Sequence, residues 1–170
     1  MIKIGLTGQT KQDKKDDELR LIKKFRSRCE AGEPLVFCDG SGPIVRDGIR
    51  YGGVGCSIWL PSADGVTYQE HTSSWRSDDM TNIMAECLAV RDAIAIANEV
   101  DAKYVFNDCQ YVVELANGGW NPKPHLKPIV DEIWASIGNI TVIWIDRQLN
   151  VLADVLSKKA SANIENAQLV

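Results

Sequence analysis

Four acidic residues occupy positions where a lone carboxylate is costly. Asp39 follows the apolar run Leu35-Val36-Phe37-Cys38 and precedes Gly40-Ser41-Gly42, and Asp108 follows Tyr104-Val105-Phe106-Asn107. Glu86 lies close to the apolar helical stripe Ile83, Val90 and Ile94, and Asp154 stands beside Val155 and three residues after Val151. Taken singly, two of them have plain explanations: Asp39-Gly40 is either a turn former or a metal ligand, and Asp154 suits the N-terminus of a helix. Taken together they pose an electrostatic problem. At an effective dielectric constant near 20 and a separation of about 5 Å, each ionised pair repels by roughly 3 kcal/mol. Either protons are retained or divalent cations are bound. His71 and His125 are the only histidines and the five cysteines show no Cys-x-x-Cys spacing. Hard oxygen donors of this kind point to Mg2+ or Mn2+, and two such ions about 3.5 to 4 Å apart suit in-line displacement at a phosphodiester.

The elements that must position these acids read as one domain. A chain of 170 residues, 45% apolar and 25% charged, is long enough to bury its own core. No apolar run reaches the length of a membrane span, and the start Met1-Ile2-Lys3-Ile4-Gly5 lacks the apolar core of a secretory signal, so a cytoplasmic location is expected. Cys29, Cys38, Cys56, Cys87 and Cys109 fall mostly in apolar stretches and read as reduced core thiols. The net charge of −4 argues against nucleic acid, but its distribution is uneven: residues 1–33 hold nine Lys/Arg and six Asp/Glu (+3), leaving ten against seventeen (−7). Bound cations would mask part of that negative excess.

Residues 1–15 are expected to form a loose arm, and Asp16 to Glu30 a helix with Leu19, Ile22, Phe25 and Cys29 inward. Its basic side, from Arg20 to Arg28, is either a solvated face or a contact surface. We therefore divide the chain into a basic arm and helix (1–33), a main domain (34–161) and a flexible tail (162–170). In the main domain, a strand ending at Asp39, a half-buried strand from Tyr51 to Leu60 and a more polar edge strand from Val66 to Ser73 suggest an antiparallel meander. Thr81 to Asn98 is helical, with Asp78 and Thr81 as candidate caps. There follow a buried strand to Asn107, helices over Cys109 to Ala116 and Pro128 to Ile137, a strand over Ile140 to Ile145, and a last helix from Asn150 to Ala160 capped by Asn150. Strands joined through helices run parallel. The expected class is α/β, a mixed five-stranded sheet with three antiparallel strands then two parallel ones, flanked by helices and carrying an extra N-terminal helix. Asp39 and Asp108 then meet at one rim of the sheet.

The motifs Asp39-Gly40-Ser41, Thr81-Asn82 with Ala85-Glu86, Asp108-Cys109-Gln110-Tyr111-Val112, and Arg147, Asn150, Ala153-Asp154 with Leu156-Ser157-Lys158 fall in the order found in ribonuclease H. From Val36 to Ala160 the chain resembles the compact plant-like and archaeal type 1 members of that family. The resemblance implies a ribonuclease H-like fold and an endoribonuclease that hydrolyses the RNA strand of RNA/DNA hybrids. It implies a catalytic quartet of Asp39, Glu86, Asp108 and Asp154 holding two Mg2+ ions, with Mn2+ able to substitute, and 5′-phosphate and 3′-hydroxyl products. It also implies that Gly40, Ser41, Asn82 and Gln110 read minor-groove sugars and base edges, and that Thr81 grips a DNA-strand phosphate. The local reading beside it is that Thr81 and Asn82 cap a helix and Gln110 is a polar first-turn residue.

Departures from the family pattern are informative. The stretch Ile145-Asp146-Arg147-Gln148 has no histidine, leaving Arg147 as an auxiliary candidate, and His125 reads as a loop residue. Asn117 to Lys127 carries only Lys123 and Lys127, so the basic protrusion of many members is missing and weak hybrid binding is expected unless the N-terminal helix compensates. Trp59, Trp134 and Trp144 read as packing, while Trp75 and Trp120 pack or stack on nucleic acid. No protein partner is evident and a monomer is expected. The competing functions are a non-catalytic nucleic-acid-binding module with this fold and a nuclease for another substrate such as branched DNA.

Overall fold

The computed structural model describes residues 1–170. In chain order the elements are β1 (Lys3–Ile4), α1 (Lys11–Glu30), β2 (Leu35–Arg46), β3 (Ile49–Ser62), β4 (Gly65–Arg76), α2 (Asn82–Val100), β5 (Tyr104–Asn107), α3 (Gln110–Ala116), α4 (Lys127–Ser136), β6 (Thr141–Ile145), α5 (Val151–Ala162) and β7 (Gln168–Leu169). They build one sheet in the order β1-β6-β5-β2-β3-β4-β7. β2, β3 and β4 are antiparallel, while β5 and β6 continue the sheet in parallel from β2. The mixed five-stranded sheet expected from the sequence is present, with a two-residue strand added at each edge.

Those two short strands differ from the expected loose ends. β1 pairs in parallel with β6, the Trp144 amide donating to the Ile2 carbonyl, and β7 pairs in parallel with β4, the Val170 amide donating to the Arg76 carbonyl. A polar sequence alone gives no sign of such pairing, because the bonds are made by backbone groups that every residue carries.

Alternation along β2 sends Val36 and Cys38 to the face covered by α2, and Leu35 and Phe37 to the face covered by α1 and α5. β3 is buried on both faces and not on one: Val54, Cys56 and Ile58 point to α2, while Gly53 and Gly55 let α5 lie directly on the strand. A Cβ at Gly55 would stand 2.4 Å from the Ser157 amide nitrogen, and one at Gly53 2.1 Å from that of Ser161. β2 also runs past its glycines to Arg46 instead of ending at Asp39, since β3 pairs with it on both sides of the acid.

α1 is longer than expected, starting after a capping box between Thr10 and Asp13. Its inward stripe is Asp17, the half-buried Leu21, Phe25 and Cys29, with Leu19 50% and Ile22 36% exposed. Phe25, common to the expected and observed stripes, packs edge-on against Phe37 and Phe106, each with ring centroids 5.3 Å away, and Asp17 turns inward to accept from the Thr7 amide and hydroxyl. The chain leaves α1 at the start of β2, so the helix runs against β2 and its N-terminus lies at the Asp39 end of the sheet. Charge is split along it: Lys11–Glu18 holds three lysines and four acids, and Leu19–Glu30 holds five Lys/Arg and one acid. The positive half thus points toward the start of β2.

Candidate active site

The register of the parallel strands brings the first two acids together. Phe37 pairs with Phe106, so Asp39 and Asp108, each two residues further on, reach the same rim. Glu86 arrives from the α2 face because Gly40 has no side chain: a Cβ there would lie 2.2 Å from the Ala85 carbonyl carbon. Oxygens of Asp39, Glu86 and Asp108 lie within 4.8 Å of one another. Asp154 comes over the rim from α5 on the opposite face, and lines the same cavity of about 300 Å3 with Gly40, Ser41, Asn82, Arg147 and Lys158.

Two of these carboxylates, Glu86 and Asp39, have one oxygen tied by hydrogen bonds. Glu86 Oε2 accepts from the Gly40 amide at 3.0 Å and from Asn107 Nδ2 at 2.9 Å. Asp39 Oδ2 accepts from Ser157 Oγ at 2.5 Å. Asp108 Oδ2 is buried with no hydrogen-bond partner. Asp154 differs, with both oxygens engaged, by Arg147 Nη2 at 3.3 Å and Lys158 Nζ at 2.7 Å. The backbone behind Asp39 is held by two amides, since Asn107 and Asn150 both donate to the Cys38 carbonyl, at 3.1 and 2.9 Å. The expected Asn150 cap of α5 is therefore not made: its side chain turns inward to β2.

Charge states follow from burial. Desolvation pushes the Asp39 carboxyl up to about 7, reinforced by the charges of Asp108 and Asp154 and opposed by the Ser157 hydrogen bond. Glu86 is raised well above the usual carboxylate range by burial and then by Asp39, and Asp108 is raised by burial against the pull of Arg147. Burial would raise Asp154 too, but Lys158 and Arg147 hold it below the ordinary value. Three acids that resist ionisation beside an orphaned buried oxygen fit a hard divalent cation. Cys109 also lines the cavity, but burial pushes its thiol up to about 11, so the available donors are oxygens.

Of the other residues singled out in the sequence, Gly40, Ser41 and Asn82 line the cavity and Arg147 reaches it with a side chain 74% exposed. Thr81 caps α2 by accepting from the Met84 amide, and Gln110 opens α3 exposed, outside the cavity lining. Trp75 lies under the Arg91 guanidinium and Trp120 packs against Tyr111. Asn107, Ser157 and Lys158 were not assigned roles from sequence. Asn107 carries one signal, its place directly before Asp108; Ser157 and Lys158 stand in the motif Leu156-Ser157-Lys158, which by itself assigns neither a role.

A mixed sheet with carboxylates gathered over its rim from both faces defines a ribonuclease H-like protein. Residues 39–160 match the family described as reverse transcriptase-like, and the chain belongs to it, within the ribonuclease H family. Among solved structures, it is similar to the N-terminal RNase H domain of a Mycobacterium tuberculosis protein, at 26% identity over 77% of this chain and 94% of that one, with a TM-score of 0.60. It is similar in fold to RNase H1 of the halophilic archaeon Halobacterium salinarum, at 21% identity over 78% and 99%, TM-score 0.57. A third structure, LC11-RNase H1 in complex with RNA/DNA hybrid, matches at 22% identity over 78% and 99%, TM-score 0.58. Comparison with curated proteins returns no match.

Proposed function

We propose that this protein is an endoribonuclease that hydrolyses the RNA strand of RNA/DNA hybrids, leaving 5′-phosphate and 3′-hydroxyl ends. The reading assigns Asp39, Glu86, Asp108 and Asp154 as holders of two Mg2+ ions, with Mn2+ able to substitute. The observation that carries it is the convergence of three acids from three elements within 4.8 Å, one of them with a buried oxygen that no protein donor reaches. When bound, the ions supply Lewis-acid stabilisation of the phosphoryl and departing oxygens and activate water.

The residues of the chain do the positioning. Ser157 and the pair Gly40 and Asn107 each fix one oxygen of Asp39 and Glu86, leaving the other directed to the ligand. Lys158 and Arg147 keep Asp154 ionised. Gly40, Ser41 and Asn82, on the cavity wall, are assigned to the 2′-hydroxyl and base edges together with the exposed Gln110 outside that lining, and Thr81 to the DNA strand. The hybrid-bound structure of a similar fold supports that substrate class.

A cleavage panel of labelled hybrid, double-stranded RNA, double-stranded DNA and branched DNA tests the proposal. Metal-dependent cutting confined to the hybrid is expected. Hybrid left intact at every Mg2+ and Mn2+ concentration, or cutting confined to branched DNA, overturns it.

A further inference from the structure

Away from the catalytic rim, α1 and the edge strand β1 enclose a second concavity of about 360 Å3. Lys3, Arg20, Lys24 and Arg28 line it over an apolar floor that includes Phe25, and no acid is in its lining. Arg20, Lys24 and Arg28 form one helical stripe, stepping about 6 Å along the axis each time. The outer two are anchored. Arg28 makes a two-pronged ion pair with Glu33 and lies over the Tyr104 ring at 5.2 Å, and Arg20 is paired with Asp17. Lys3 and Lys24 have no acid within 4.0 Å. Two uncompensated ammonium groups on either wall of one groove, flanked by fixed guanidinium groups, suit a ligand with repeated negative charges.

The groove also leads to the rim. β1 runs parallel to β6, with Lys3 level with Trp144, which in turn is level with Asn107 just before Asp108. Two strand spacings separate β1 from β5, about 10 Å, or roughly three base-pair steps of a duplex. We propose that this groove binds the phosphate backbone of nucleic acid as it extends beyond the catalytic rim. The proposal rests on the nucleic-acid reading of that rim, and it places the cations missing from Asn117 to Lys127 on the opposite face of the sheet.

The test measures binding by fluorescence anisotropy in the non-cleaving Asp108→Asn background, comparing hybrids of about 8 and about 24 base pairs. Lys3→Glu with Lys24→Glu alters two exposed side chains and should leave the thermal melt unchanged. It is expected to weaken the long hybrid about tenfold and to lower its salt slope by about two, while the short hybrid is unaffected. Lys103→Glu with Lys159→Glu, an equal change of net charge elsewhere, is expected to have a much smaller effect. Equal weakening by both pairs, equal weakening on both hybrids, or no weakening overturns the groove. A protein that shows the expected long-hybrid sensitivity but cleaves nothing overturns the nuclease reading alone. One that cleaves hybrid normally and binds it equally well with the lysines replaced overturns the groove alone.

Discussion

Asn107 Nδ2 lies 2.9 Å from Glu86 Oε2, and the same nitrogen lies 3.1 Å from the Cys38 carbonyl oxygen, so one amide ties α2 to β2. Its Oδ1 accepts from the Cys109 amide at 2.8 Å, which fixes the turn carrying Asp108. A single buried side chain therefore sets three acids relative to one another. Asn107→Ala is expected to cost about 2 to 3 kcal/mol, because it strands buried polar groups on three elements. It should also raise the Mg2+ concentration for half-maximal hybrid cleavage at least about tenfold. Urea unfolding and metal titration by calorimetry check the two effects separately.

The raised carboxyls give the metal-free protein a definite pH dependence. Folded Asp39 titrates at about 7, and Glu86 lies well above its ordinary value. The unfolded chain gives up these protons near pH 4. As pH rises from about 4 to 7 the folded state thus holds more protons than the unfolded state, and stability falls, levelling once the folded groups have ionised. The lowered Asp154 and Asp92 act in the opposite sense, below about pH 4. Melting in EDTA should show this decline, Mg2+ should restore stability at pH 7.5, and Asp39→Asn should flatten the curve. A melting temperature that rises across the window would contradict the burial argument.

The quartet should divide by environment. Asp108→Asn is expected to reduce hybrid cleavage at least about 100-fold with the fold kept, since the orphaned oxygen loses its charge. Arg147→Ala removes one mostly exposed ion pair from Asp154 and should change stability by less than about 1 kcal/mol. Single-turnover cleavage and thermal melts distinguish the two variants.

Two glycines are fixed by helix approach. Gly40→Ala and Gly55→Ala place a methyl 2.2 to 2.4 Å from backbone atoms of α2 and α5, and each is expected to cost about 3 kcal/mol or more. A variant of either kind with an unchanged denaturation midpoint would show that the helices stand further from the sheet.

Removing residues 1–30 is expected to destabilise the domain by at least about 3 to 5 kcal/mol, because Phe25 and Cys29 cover Phe37 and Phe106. Loss of hybrid binding by such a fragment would report unfolding. Substitutions of exposed lysines are the informative measure of charge.

Periodicity made the elements legible. The apolar run before Asp39 and the stripe through Glu86 survive as β2 and α2 because burial of those faces is what folds them. The stripe expected for α1 shares Phe25 and Cys29 with the observed one and differs in the rest: Leu19 and Ile22 are exposed, while Asp17 turns inward to the Thr7 amide and hydroxyl, a contact that no helical period announces. The role of Asn150 was missed for a similar reason, since a helix-leading asparagine looks the same whether it caps its own helix or reaches across to Cys38.

The sequence by itself determined the order of the five main strands and five helices and the placing of four acids along them, because hydrophobic period and charge position are local properties of the chain. Only the tertiary structure decided that Asp154 shares a wall with the other three but is neutralised by Arg147 and Lys158, and that Asn107 and Ser157 each tie one oxygen, of Glu86 and Asp39 respectively. It also decided that Arg20, Lys24 and Arg28 of α1 lie beside β1. Such relations depend on which residues distant in the chain come within a few ångströms, and sheet register and helix approach set those distances.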